Sequence, residues 1–105
     1  MLIAIDIGNS SIDIGVFEDE ALVDRWRVAV DSTYTAERHK TLLVDSLIER
    51  QVGSPSAAIA SSVVRGVTDE LRAAIDSLWG VTLIVAAEGM DLGIDVCVPS
   101  PKEVG

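Results

Sequence analysis

Apolar positions along the chain keep a period of two up to Val30 and then switch to helical spacing. Leu2-Ile3-Ala4-Ile5-Asp6-Ile7 is apolar on both faces except at Asp6, the pattern of a central strand in a covered sheet. Ser11 to Phe17 alternates, with Ile12, Ile14 and Val16 on one side. Ala21 to Val30 alternates again. Leu22, Trp26, Val28 and Val30 share a parity interrupted by Asp24, and Arg25 and Arg27 share the other face. Gly8-Asn9-Ser10 and Glu18-Asp19-Glu20 are short polar connections, so the three strands are predicted to form an antiparallel meander.

After the polar link Asp31 to Thr35, Leu43, Leu47 and Ile48 recur at helical spacing, joined by Leu42 and Val44. Thr35 is the predicted N-cap, with Glu37 favourable in the first turn, and Gly53 before Ser54-Pro55-Ser56 is the predicted stop. Ala57 to Val64 reads as a fourth strand. Gly66 to Leu78 reads as a second helix with the stripe Val67, Leu71, Ala74, Ile75 and Leu78. Asp69 and Glu70 open it and Gly80 closes it. Val81 to Val85 is the predicted fifth strand.

The order β-β-β-α-β-α-β is an α/β pattern whose later strands are parallel, with right-handed crossovers setting both helices against the sheet. Residues 1–86 are expected to form one lobe. Residues 87–105 have Gly and Pro punctuation without clear periodicity, and are expected to lead toward a further part of a larger protein.

Composition narrows the partners. A formal net charge of −9 argues against general affinity for nucleic acid or an anionic membrane. It leaves room for a phosphorylated ligand held by backbone dipoles and a metal. No apolar run approaches the roughly 18 residues of a membrane span. The N-terminus lacks a basic stretch, so no cleaved signal peptide is expected, and Cys97 has no internal disulfide partner. These features predict a cytoplasmic protein.

The candidate chemistry lies at Asp6-Ile7-Gly8-Asn9-Ser10-Ser11. A carboxylate at the end of a buried strand is costly without a partner. A turn of Gly, Asn and Ser offers N–H groups and short polar side chains to an anion. Together they read as a phosphate site with a metal-positioning aspartate. On position and composition alone, a structural carboxylate bonded to turn N–H groups, or a plain hairpin turn, stands level with that reading. His39 reads as a surface or packing residue, Arg25 and Arg27 as a solvated face, and Cys97 as unreactive. Trp26 and Trp79 read as core or interface residues.

Four stretches in order carry a resemblance. They are Leu2-Ile3-Ala4-Ile5-Asp6-Ile7-Gly8-Asn9-Ser10; Trp26-Arg27; Ser61-Ser62-Val63-Val64 with Thr68-Asp69; and Pro101-Lys102-Glu103-Val104-Gly105. The chain resembles the N-terminal lobe of type III pantothenate kinases, in the actin-like ATPase and sugar-kinase superfamily, whose lobes are ribonuclease H-like. The resemblance implies a mixed five-stranded sheet with helices packed on it. It also implies ATP and Mg²⁺ in a cleft shared with a C-terminal lobe. The implied reaction moves the γ-phosphate of ATP to pantothenate, the first step of coenzyme A synthesis. A monovalent cation (K⁺ or NH₄⁺) and a homodimer are implied as well.

Carried over by residue, Asp6 would hold the hydrated metal. Gly8 would allow close backbone approach, and Asn9 and Ser10 would bond phosphate oxygens. Ser11 and Asp13 fall in the same cofactor-binding segment. The general-base aspartate is expected just beyond Gly105, so this chain alone is expected to be inactive. Two departures stand out: Asp13, where some members have Lys, and Val98, near a family tyrosine that contacts pantothenate. They keep open a non-catalytic relative with a regulatory or interaction role. A sugar- or acetate-type kinase lobe is a third reading.

Overall fold

A computed structural model of the chain describes residues 1–86. Its elements are β1 (Leu2–Ile7), β2 (Ser11–Glu18), β3 (Ala21–Ala29), α1 (Ala36–Glu49), β4 (Ala57–Ser62), α2 (Val67–Trp79) and β5 (Leu83–Val85). They form one five-stranded sheet in the order β3-β2-β1-β4-β5. β1 pairs antiparallel with β2 and parallel with β4, so the first strand of the sequence is the middle strand of the sheet. The predicted meander and the parallel second part are both present.

The two faces of β1 divide the labour. Ile3, Ile5 and Ile7 are buried against α1 and α2, in one cluster with Leu43, Leu47, Val67, Leu71 and Ile75. Their sheet neighbours there are Val16, Ile14 and Ile12 on β2 and the small Ala58 and Ala60 on β4, which let the helices approach closely. Each large aliphatic side chain buried this way contributes about 1.5–3 kcal/mol. Asp6 lies on the opposite face.

The hairpin between β2 and β3 turns through Asp19 and Glu20, both at positive φ (50° and 70°), between the paired Glu18 and Ala21. This is the type I′ geometry that follows strand twist. A bulge follows at once: Val16 pairs with Asp24 and Phe17 with Leu22, leaving Val23 as the extra residue. The predicted common parity of Leu22 and Trp26 therefore breaks. Leu22 joins Phe17 on the face away from the helices, and Trp26 stays beneath α1. Trp26 Nε1 donates to Ser46 Oγ at 3.2 Å, and the Arg50 guanidinium lies 4.6 Å from the Trp26 ring.

Thr35 is the N-cap of α1, its hydroxyl accepting from the Arg38 N–H at 3.0 Å. In the link before it, the Asp31 carboxylate accepts the Thr33 N–H and hydroxyl, which hold its carboxyl below the ordinary carboxylate range. His39 is a packing residue. It is buried, its Nδ1–H donates to the Thr35 carbonyl at 2.9 Å, and its Nε2 has no hydrogen-bond partner among the described residues.

Three predicted boundaries move. The α1 helix stops at Gln51, not Gly53: the Val52 N–H reaches Leu47 O and the Gln51 N–H reaches Ile48 O, a Schellman closure with Gln51 at φ 57°. β4 ends at Ser62, whose hydroxyl bonds both the N–H and the carbonyl of Val64 and so bends the chain out of the ladder. β5 begins at Leu83, after Gly80 closes α2 in the left-handed conformation at φ 68°. Among the described residues no helix is long and apolar enough to cross a membrane.

A left-handed conformation costs a residue with a Cβ about 1–2 kcal/mol, part of which glycine returns through its freer unfolded state. Gln51→Gly is therefore expected to stabilise the protein by about 0.5–1 kcal/mol, read from the urea midpoint; an unchanged or lower midpoint contradicts the Schellman assignment.

Candidate functional site

The carboxyl ends of the parallel strands β1, β4 and β5 lie at one end of the sheet. The chain leaves β1 toward β2 and leaves β4 toward β5, so the two connections diverge. Ligands of open α/β sheets bind where such connections part. The Gly8–Ser10 turn lies at this divergence and is anchored on three sides. The Gly8 N–H donates to Ser11 O at 2.9 Å. The Val30 N–H donates to Ser10 O at 3.0 Å, and the Val63 N–H donates to Ile7 O at 3.0 Å. The turn is thus tied to β2, to the end of β3 and to the end of β4, while Asn9 and Ser10 are exposed at its tip. Gly8 sits in a tight place: a Cβ there would stand 3.3 Å from Ser11 O, which would have to give by a few tenths of an ångström.

Below the turn, register gathers a polar row across four strands. Asp6 is opposite Ser61 on β4 and opposite Asp13 on β2, and Asp13 is opposite Arg27 on β3. Laterally paired residues share a face, so Ser61, Asp6, Asp13 and Arg27 stand side by side on the surface away from the helices. Ser61 is fully buried and Asp6 half-buried. Arg27 Nε donates to Asp13 Oδ1 at 2.6 Å and its Nη2 reaches Asp13 Oδ2 at 3.4 Å, a two-point contact. The Asp13 side chain is 14% exposed and that of Arg27 57%.

Beside the turn, a cleft of about 420 Å³ opens between the end of β4 and the start of α2, lined in part by Ser62, Val63, Arg65, Gly66, Thr68 and Ala86. Gly66, at φ 85°, leads into α2 without a side-chain cap.

The structure brings Asp6, Gly8, Asn9, Ser10, Ser11 and Asp13 together. Val98 and Cys97 lie outside the described residues. Asp13 faces a cation, so its charge is met within the protein. Ser61 and Arg27 are the members of the row that sequence reading did not assign to the site. Counting across the Gly8–Ser10 turn pairs Asp6 with Asp13. Counting across the Asp19-Glu20 turn alone would set Asp13 opposite Trp26, and only the bulge at Val23 brings Arg27 there.

A row of this kind can hold a hydrated divalent ion at Asp6 and present the turn to an anion. Among the described residues no three His, Cys, Asp or Glu side chains cluster as a closed metal cage.

Comparison with known proteins gives the family and the fold. The sequence profile of the type III pantothenate kinase family matches residues 2–105. The type III pantothenate kinase of Thermus thermophilus is 34% identical over 105 residues, covering 100% of this chain and 41% of that protein. That of Rhodospirillum centenum is 38% identical over 109 residues, with coverage of 100% and 41%. The chain thus spans about two-fifths of the length of these relatives. Among solved structures, the putative N-acetylglucosamine kinase from Porphyromonas gingivalis superimposes with a TM-score of 0.62 at 17% identity, over 95% of this chain and 38% of that one. That likeness concerns the fold, the actin-like lobe of the sugar kinases. With a profile match over almost its whole length, the chain belongs to the type III pantothenate kinase family.

Proposed function

We propose that this chain supplies the first phosphate-binding and metal-holding half of an ATP-dependent pantothenate kinase, with residues 1–86 as its N-terminal lobe. The observation that carries this reading is Asp6 at the carboxyl end of the central strand, directly before a turn pinned by three backbone hydrogen bonds. Family membership supports the reaction class, transfer of the ATP γ-phosphate to pantothenate; the monovalent cation, the cytoplasmic homodimer and the place on the route to coenzyme A are part of the same proposal.

Phosphoryl transfer needs positioning and charge neutralisation more than covalent chemistry. Mg²⁺, when bound, neutralises charge on the phosphate oxygens. Asp6 would hold it through its water shell. Gly8 keeps the backbone close to the ligand, and Asn9 and Ser10, exposed at the tip, would donate to phosphate oxygens. A turn already anchored to β2, β3 and β4 gives these donors their orientation before the ligand arrives, where preorganised dipoles count most. The aspartate that takes the hydroxyl proton is expected beyond Gly105, and the pantothenate contact near Val98 is outside the described residues. The non-catalytic reading drew on Asp13 and Val98. The charge of Asp13 is met by Arg27, and Val98 lies outside the described residues.

The test is pantothenate phosphorylation with Mg²⁺ and K⁺ by the full-length protein that carries this chain. Turnover is expected, and its absence removes the kinase reading. Asp6→Asn is expected to lower kcat about 100-fold or more, in the range of losing one preorganised electrostatic contact. Unchanged turnover in that variant removes the role given to Asp6. Gly8→Ala, which must move either the turn or Ser11 O, is expected to raise KM for ATP about tenfold, equivalent to about 1.4 kcal/mol. An unaltered KM there would detach the turn from nucleotide binding.

A further inference from the structure

We propose that the cleft between the end of β4 and the start of α2 receives the phosphoryl acceptor and that Arg65 recognises the acceptor's carboxylate. The inference rests on the kinase reading above and deepens it, giving the acceptor a specificity-determining residue for its acid end.

Three observations carry it. The first is place. The Val63 N–H donates to Ile7 O at 3.0 Å, directly before Gly8, so the cleft opens beside the turn. A hydroxyl that takes a phosphoryl group has to be held next to the phosphates, and the rest of its molecule needs room close by. The cleft offers about 420 Å³, within the range of small-molecule sites.

The second is charge. Arg65 is exposed and makes no hydrogen bond or ion pair among the described residues, whereas Arg27, Arg50 and Arg72 each meet an aspartate. No Asp or Glu among the described residues lines the cleft, in a chain whose formal net charge is −9. A guanidinium is a planar fork of donors that fits a carboxylate at two points. Arg65 is thus a cation at the wall of a cleft, with its donors unused and no acidic neighbour on that wall.

The third is the apolar part of the wall. Val63, Val64 and Val85 line the cleft, and Val63 and Val85 are 42% and 40% exposed. Such a surface favours a partly apolar body over a polyphosphate. Pantothenate has a primary hydroxyl at one end, two methyl groups beside it and a carboxylate at the other end. The turn, the valines and Arg65 answer these three parts in order.

The test uses the full-length protein with Mg²⁺ and a non-hydrolysable ATP analogue, and reads acceptor binding by calorimetry. The probes are pantothenate and pantothenyl alcohol, in which a neutral CH₂OH replaces the carboxylate. The parent is expected to bind pantothenate about tenfold or more tighter than the alcohol. Arg65→Gln is expected to weaken pantothenate about tenfold and to leave the alcohol and the ATP analogue within about twofold of the parent. Pantothenate affinity in Arg65→Gln within about twofold of the parent overturns the proposal. So does an equal loss for both acceptors, or a loss for the ATP analogue, because Arg65 then serves the fold or the nucleotide. A parent that binds both acceptors equally well overturns it too, while the kinase reading stands if that parent phosphorylates pantothenate. A parent that neither binds nor phosphorylates pantothenate removes the kinase reading and this inference with it.

Discussion

The register of β1 is the constraint on which the rest of the structure depends. This strand is paired on both edges, antiparallel with β2 and parallel with β4. A slip of one residue in its pairing would exchange its faces, moving Ile3, Ile5 and Ile7 out of the helix-covered core and Asp6 into it. The loss of burial for three isoleucines, added to the cost of an internal carboxylate, makes any such alternative strongly unfavourable. Packing energy on one face thus fixes the position of a polar row on the other.

The same economy holds at β3. Its bulge spends one residue, Val23, and changes the parity of everything after it. Trp26 then lies beneath α1, bonded to Ser46, and Arg27 lies beside Asp13. Core and site are joined through a single irregularity, so a deletion there would disturb both. The turn at Gly8–Ser10 is rigid for a related reason, because its flanking carbonyls are already used by Val30 and Val63.

Much of this was legible in the chain. The element order, the sheet class, the Thr35 cap, the Gly80 stop and the Asp6 turn all follow from hydrophobic period and from residues with narrow backbone roles. What escaped the reading has physical causes. Gln51 takes a left-handed conformation that favours glycine, because the Schellman bonds and the packing of Val52 against the core outweigh its preference. The end of β4 depends on a side-chain hydroxyl competing with the ladder. The Asp13–Arg27 pair depends on a bulge, which leaves no mark in a pattern of alternating residues. Charged side chains at alternate positions on β3 therefore read as a solvated face, although one of them, Arg27, pairs with Asp13.

The central claim is that register on β1 places a nucleotide's phosphates at the Gly8–Ser10 turn, with Asp6 beside the metal. A crystal structure of the full-length protein with Mg²⁺ and a non-hydrolysable ATP analogue tests it most directly. The account predicts phosphate oxygens within hydrogen-bond distance of Asn9 and Ser10, and the metal's water shell on the Asp6 carboxylate. A nucleotide whose phosphates lie away from this turn, with Asp6 remote from the metal, would contradict it.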